Sequence, residues 1–197
     1  MIALAPPFRA ARAGDGPALA LLMNAAGEGI PLSVWTGMAG PGGNPWALGA
    51  ARLEARAAER GGIVVADEGA GPVAALIGNP IGPEPERPGP DAPARFVPLM
   101  DLEAEAAESW YVNALAALPD HRGRGWGTRL LGVAEAIAAE TGAARLSLIV
   151  SSANAGARRL YARLGFHETA RRPKAGPDAA PGAEWILMLR DLAAARR

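Results

Sequence analysis

WYVNALAALPDHRGRGWGT, Trp110–Thr128, is the stretch that decides how this chain is read. An apolar, strand-like run ends at Pro119, and a glycine-rich turn carrying Arg122 and Arg124 leads straight into a helical pattern. Strand, glycine turn and helix in that order suit a phosphate, because the amides freed at a helix start and the positive end of its dipole attract an anion. Gly123, Gly125 and Gly127 have no Cβ, so the backbone there can turn sharply and come close to a ligand.

Downstream of the turn, Leu130, Leu131, Ala134, Ile137 and Ala138 recur at helical spacing over Thr128–Thr141, and Gly142 can stop that helix. A strand is expected over Arg145–Val150. A second helix is expected over Ala153–Leu164, with Ala157, Leu160, Tyr161 and Leu164 on one stripe, followed by strands at Phe166–Ala170 and Glu184–Arg190. Upstream, Leu99–Glu108 reads as a short helix, and Pro80–Pro98, with its run of prolines, reads as an extended loop. GIVVA (Gly62–Ala66) and PVAALIG (Pro72–Gly78) flank an acidic, glycine-containing connection and read as a β-hairpin. Nearer the start, Phe8–Ala13 is strand-like, Asp15 is placed to cap a helix over Ala18–Ala26, and Pro17 suits its first turn. Ile30–Pro45 holds enough Gly and Pro to predict irregular structure, and Trp46–Arg60 returns to a helical pattern. Trp35 and Trp46 read as packing residues. No internal repeat is visible.

At 197 residues the chain has length for one domain, 1–197, with embellishments. It contains no cysteine and only His121 and His167, which excludes disulfides, thiolate metal sites and a histidine-rich metal centre. The formal net charge is zero, so nothing suggests bulk attraction to nucleic acid or a membrane surface. The distribution is uneven. Asp120–Lys174 carries ten Lys or Arg against four acids, whereas Pro80–Glu108 carries seven acids against Arg87 and Arg95. The first segment suits a polyanion and the second a cation, with solvated surface charge the plainer reading of either. No stretch approaches the roughly 18 apolar residues of a membrane span, and the opening residues lack the basic-then-apolar pattern of a leader. A cytoplasmic protein is the expectation.

Two common phosphate binders fit poorly. A dinucleotide fold wants G-x-G-x-x-G and an acidic residue at the end of the next strand; here the third glycine is out of register and the strand ends at Val150-Ser151. A nucleotide P-loop needs a lysine after its last glycine, and Lys174 is the only lysine in the chain. The stretch instead resembles the acyl-CoA-binding motif of the GNAT N-acetyltransferase superfamily, (Q/R)-x-x-G-x-(G/A), here Arg122-Gly123-Arg124-Gly125-Trp126-Gly127 after the apolar run and Pro119. Asn154, Ala157, Leu160-Tyr161 and Leu164-Gly165-Phe166 are similar to the family's downstream N-x-x-A-x-x-(L/F)-Y signature with its following G-F. The close resemblance covers Trp110–Thr169, and the first hundred residues agree only in their order of elements.

The resemblance implies an α/β fold, a mixed, largely antiparallel sheet of roughly six or seven strands with helices on both faces, splayed after its central strand. It implies acetyl-CoA as co-substrate, no metal, and transfer of the acetyl group to a primary amine. With no cysteine to carry an acyl intermediate, direct transfer in a ternary complex is expected. Backbone amides of Arg122, Gly123, Arg124, Gly125, Trp126, Gly127 and Thr128 would hold the CoA pyrophosphate. Leu115, Ala116 and Ala117 would pair with the pantetheine arm, Asn154 would contact it, and Tyr161 would donate a proton or hydrogen bond to the leaving sulfur, a phenol being protonated at neutral pH. Read without the motif, Tyr161 is a core residue and Asn154 a helix cap. Glu103, Glu105 and Glu108 precede the central strand and are the candidate bases, although a bound amine can also lose its proton to water. A small-molecule amine and a peptide or protein acceptor both remain open, as does a homodimer. The competing reading is a non-catalytic acyl-CoA-binding or sensing module that retains the fold.

Overall fold

A computed structural model describes residues 2–60, 62–176 and 179–192. The strands form one open, mixed sheet in the order β1-β2-β3-β4-β5-β7-β6. They are β1 (Phe8–Ala10), β2 (Ile63–Asp67), β3 (Pro72–Ile81), β4 (Ser109–Ala117), β5 (Arg145–Ser151), β6 (His167–Pro173) and β7 (Glu184–Asp191). Six helices accompany them among the described residues: α1 (Gly16–Ala26), α2 (Ile30–Ala39), α3 (Pro45–Arg60), α4 (Val97–Ala104), α5 (Trp126–Thr141) and α6 (Ala155–Arg163). The β4–β5 pair is parallel, whereas β1–β2, β2–β3, β5–β7 and β6–β7 are antiparallel. The chain forms two compact units, Met1–Gly78 with Ala114–Val133 and Asn79–Asn113 with Ala134–Arg197.

In the first unit, β2 and the start of β3 are buried residue after residue, which is why their sequences run apolar rather than alternating. Leu19, Leu22, Trp35, Leu53, Ile63, Val65 and Ile77 form its core. The hairpin is as expected, with β3 extending to Ile81. The expectation of irregular structure over Ile30–Pro45 is overturned. Residues Ile30–Ala39 are helical, with Pro31 in the first turn, where its missing N–H costs nothing. Trp35, 6% exposed, anchors that helix against Trp46, their ring centroids 6.2 Å apart. Gly49 of α3 lies beneath Trp35, where a Cβ would come within 2.5 Å of the indole.

Asp15 stands at the N-cap position of α1, as expected, but its side chain is engaged elsewhere. Its side chain makes no cap bond to α1. It accepts instead from Arg9 Nη1 at 2.7 Å, Arg9 Nη2 at 2.9 Å and the Arg12 amide at 2.8 Å. Glu54 of α3 takes over the start of α1, its Oε1 accepting the Gly14 and Gly16 amides at 3.0 Å. Arg9 reaches on to Asp67, whose Oδ2 accepts from Nε at 2.9 Å and Nη2 at 2.7 Å. The other oxygen of Asp67 accepts the Gly69 and Gly71 amides of the β2–β3 turn.

Arg9, followed by the two turn amides, holds the Asp67 carboxyl down to about 2. Burial opposes ionisation of Asp15, but the Arg9 and Arg12 hydrogen bonds outweigh it, and its pKa is lowered as well. Because the folded pKa values lie below the unfolded value of about 3.9, these carboxylates stabilise the fold fully above that pH. Their contribution is lost as pH falls through the folded values. The urea midpoint is therefore expected to hold steady above about pH 5 and to decline between about pH 4 and 2, with a shallower decline in Asp67→Asn. Equal declines in the two proteins would remove Asp67 from the acid response.

In the second unit, β5, β7 and β6 pair in sequence, with Leu146, Leu148, Ile186 and Leu187 buried between 0 and 1% exposure. The β4–β5 ladder runs from Ser109–Arg145 to Val112–Leu148 and ends there, although β5 continues to Ser151. The short helix expected at Leu99–Glu108 lies at Val97–Ala104.

Candidate active site

The glycine turn belongs to the first unit. Leu115, Ala116 and Ala117 are half-buried at the end of β4, and the Leu118 amide donates to Val73 O at 2.9 Å. A single 3-10 turn, Pro119–His121, redirects the chain, and the Arg122 amide closes it on Pro119 O at 3.2 Å. Gly123 and Gly125 then adopt φ +74° and +79°, the left-handed region that a side chain disfavours. An added Cβ at either would meet nothing within 4 Å, so the turn is open on its outer side.

Helix α5 begins at Trp126, and the Arg129 amide donates to Gly125 O at 3.1 Å. The amides of Trp126, Gly127 and Thr128 therefore stand ahead of the intrahelical ladder, as at any helix start. No acidic residue occupies this first turn, while Arg122 and Arg124 flank it, both exposed. Unpaired helix-start amides beside two arginines favour an anion in sign. The Trp126 side chain is 4% exposed and packs edge-on against Phe8, with ring centroids 6.1 Å apart, so only its backbone faces the turn.

Sequence reading passed over Arg129. Its guanidinium lies 4.4 Å from the Trp126 ring centroid and 5.0 Å from that of Phe8. A cation in the first turn of a helix works against the dipole. Aromatic faces hold it there, and an anion on the turn would offset it further. The signal was long-range, since Phe8 lies in a different strand.

The second unit carries the remaining candidates. Asn154 caps α6, its Oδ1 accepting the Ala157 amide at 3.0 Å. Tyr161 is 8% exposed beside Phe166, ring centroids 5.8 Å apart, and burial pushes its phenol up to about 12. The three glutamates occupy different settings. Glu105 is ion-paired with Arg172. Glu108 is exposed at φ +56°, its amide donating to Gly82 O at 3.2 Å. Glu103 is half-buried and accepts from the hydroxyl of Tyr111, which in turn receives a hydrogen bond from Asn113. Burial, then the Glu103 carboxylate, drives the Tyr111 pKa well above its ordinary value. In the acid-rich loop, Glu84, Glu86 and Asp91 are exposed. Among the described residues there is no group of three or more His, Cys, Asp or Glu placed to hold a metal ion, and no helix is long and apolar enough to cross a membrane.

The family model for the GNAT acetyltransferases matches residues 38–166. The chain belongs to the GNAT acetyltransferase family. Curated protein sequences give no match. Among solved structures, a ribosomal-protein-alanine N-acetyltransferase from Brucella melitensis is similar at 21% identity and a TM-score of 0.63, covering 94% of this chain and 99% of that one. A chain of the NatC complex bound to Gag peptide and CoA is similar at 13% identity and a TM-score of 0.58, covering 94% and 98%. A nourseothricin acetyltransferase matches over 66% of this chain and 62% of its own, at 23% identity and a TM-score of 0.48. The GNAT fold expected from the two motifs is thus found, as a seven-stranded sheet.

Proposed function

We propose that this GNAT protein transfers an acetyl group from acetyl-CoA to a primary amine by direct attack. The observation that carries the reading is the acid-free start of α5 behind two left-handed glycines, a turn that favours an anion, in a chain of an acetyltransferase family. The amides of residues 122–128 would hold the donor, with Arg122 and Arg124 adding charge, and Leu115–Ala117 and Asn154 would bind its pantetheine arm. As the amine nitrogen bonds the acyl carbon, the C–S bond breaks and the amine gives up a proton. Tyr161 is proposed to stabilise the departing sulfur.

Of the three candidate bases, Glu103 is favoured. Glu105 is committed to Arg172, whereas the Glu103 carboxylate is held in a fixed, half-buried position by Tyr111. Glu103→Gln is expected to lower kcat by about tenfold, less than a full general-base effect because water can also take the proton. Glu105→Gln is expected to stay within about twofold of the parent. Equal losses in the two variants would remove Glu103 from the reaction.

The exposed acids Glu84, Glu86 and Asp91 favour a cationic acceptor, whether small molecule or peptide. The deciding experiment is a labelled acetyl-CoA transfer assay over a panel of polyamines, arylalkylamines, aminoglycosides and peptides. Product formation with a cationic amine is the expected result. CoA binding without transfer to any acceptor would favour the non-catalytic reading, and preference for neutral or anionic amines would sink the role of the acidic loop.

A further inference from the structure

Helix α6 has a second face that the proposed reaction leaves unused. Asn154 caps the helix and Tyr161 is buried. Ala155, Arg158, Arg159 and Ala162 fall at i, i+3, i+4 and i+7, which is a different stripe of the same helix. Together they wall a groove of about 490 Å³ that closes against the start of β6 and against β7. Everything that lines it belongs to the second unit. Its volume is within the range of small-molecule sites, about 300–1,000 Å³. The two alanines leave that space open, since a longer side chain on either would enter it.

The floor of the groove is apolar, made by Phe166 and Met188 at 3% and 2% exposure. Its rim is charged, and those charges are not equally engaged. Arg158 is already committed, with Nη2 donating to Glu168 Oε1 at 2.7 Å and Nη1 to Ser152 O at 3.3 Å. Glu168 is neutralised further by Arg171. Arg159, by contrast, is exposed and has no ion-pair or hydrogen-bond partner among the described residues. His167, exposed at the start of β6, has none either and offers a ring N–H. The groove therefore joins a covered apolar floor to a guanidinium whose five N–H donors have no acceptor in the protein.

We propose that this groove binds a small organic monoanion, an aryl or alkyl carboxylate, with its charge on Arg159 and His167 and its apolar body over Phe166 and Met188. A carboxylate matches the planar fork of a guanidinium and can accept two parallel N–H bonds from it. With Arg158 and Glu168 paired to each other, one cation is left uncompensated, which suits a single negative charge. A second charge on the ligand would be repelled by Glu168. Inorganic phosphate would satisfy the rim and leave the floor in water, so the apolar area favours the organic acid. Such a ligand carries no amine and is not the acetyl acceptor, so the site stands independently of the reaction proposed above.

NMR titration of the full chain with phenylacetate, hexanoate, phenylacetamide and inorganic phosphate tests the site. Phenylacetate or hexanoate should bind with a dissociation constant of about 1 mM or tighter, and phenylacetamide and phosphate about tenfold more weakly than the better of the two. Arg159→Ala should weaken carboxylate binding by about tenfold through loss of the charge-assisted bonds. The position is exposed on a helix and alanine favours helix, so this variant should keep the urea midpoint of the parent. Ala162→Leu, also at an exposed helical position, fills the groove without touching a charge and should weaken carboxylate binding by about tenfold or more. Affinity within about twofold of the parent in either variant would overturn the proposal, as would phosphate or phenylacetamide binding as tightly as the carboxylates. So would a parent protein that binds neither carboxylate at concentrations up to about 10 mM.

Discussion

Tyr161→Phe is expected to lower kcat by about a hundredfold, the lower end of the range for a positioned proton or hydrogen-bond donor, while the acetyl-CoA dissociation constant stays within about twofold. The ring is retained, so the packing of Tyr161 against Phe166 survives and the loss isolates the hydroxyl. Burial sharpens what that hydroxyl can do. With its pKa pushed up to about 12, the phenol is uncharged at any pH where the protein is used. A free thiol ionises near 8.5, so passing the phenolic proton completely to the departing thiolate would be uphill by roughly 5 kcal/mol. Donating a hydrogen bond to the developing negative sulfur carries no such cost and acts on charge present only late in the reaction. The consequence is a flat wild-type rate profile up to about pH 10 as far as this phenol is concerned. Rate measurements with saturating acetyl-CoA decide the matter. Unchanged turnover in Tyr161→Phe would remove the residue from the chemistry and leave it as core.

How much of this was legible in the sequence follows from how far each interaction reaches along the chain. The glycine turn was legible because the left-handed backbone at Gly123 and Gly125 selects for glycine locally, and its neighbours up to Trp126 follow within a few residues. The buried hairpin was legible because strands covered on both faces need unbroken apolar runs, as β2 and β3 have. Helix α2 was not. Its glycines and proline argue against a helix one residue at a time, and what offsets them is the burial of Trp35 against α3, which propensity does not record. Asp15 looked like a cap because a short acid before a helix usually is one. Its carboxylate is instead claimed by Arg9, six residues back, which also binds Asp67, 58 residues on, while the cap role passes to Glu54, about forty residues away. The same limit applies at the candidate site. Glu103 could be separated from Glu105 only by their partners Tyr111 and Arg172, the second of them 67 residues from Glu105.

Gly125→Val is expected to weaken acetyl-CoA binding by about a hundredfold, near 2.7 kcal/mol, well beyond its cost to the fold. Two effects add. At φ +79° a side chain strains the backbone, and the strain of one left-handed residue is about 1–2 kcal/mol. A Cβ at this position meets no protein atom within 4 Å, so steric conflict inside the chain is not the reason for glycine. The branched side chain would project into the open face of the turn, where the proposed pyrophosphate approaches the amides, and would hold the anion away from them. Because charge-assisted hydrogen bonds fall off steeply with misalignment, a displacement of this kind is felt in affinity rather than in folding. Gly132→Ala provides the control. Gly132 lies inside α5 with no left-handed φ and nothing within 4 Å of an added Cβ, so alanine should stabilise the helix by about 0.5–1 kcal/mol and leave the dissociation constant alone. Calorimetric titration with CoA and urea unfolding on both variants separate the two effects. Should Gly125→Val bind CoA within about threefold of the parent, the turn at residues 122–128 would not be the donor site, and the proposed reaction would lose the observation it rests on.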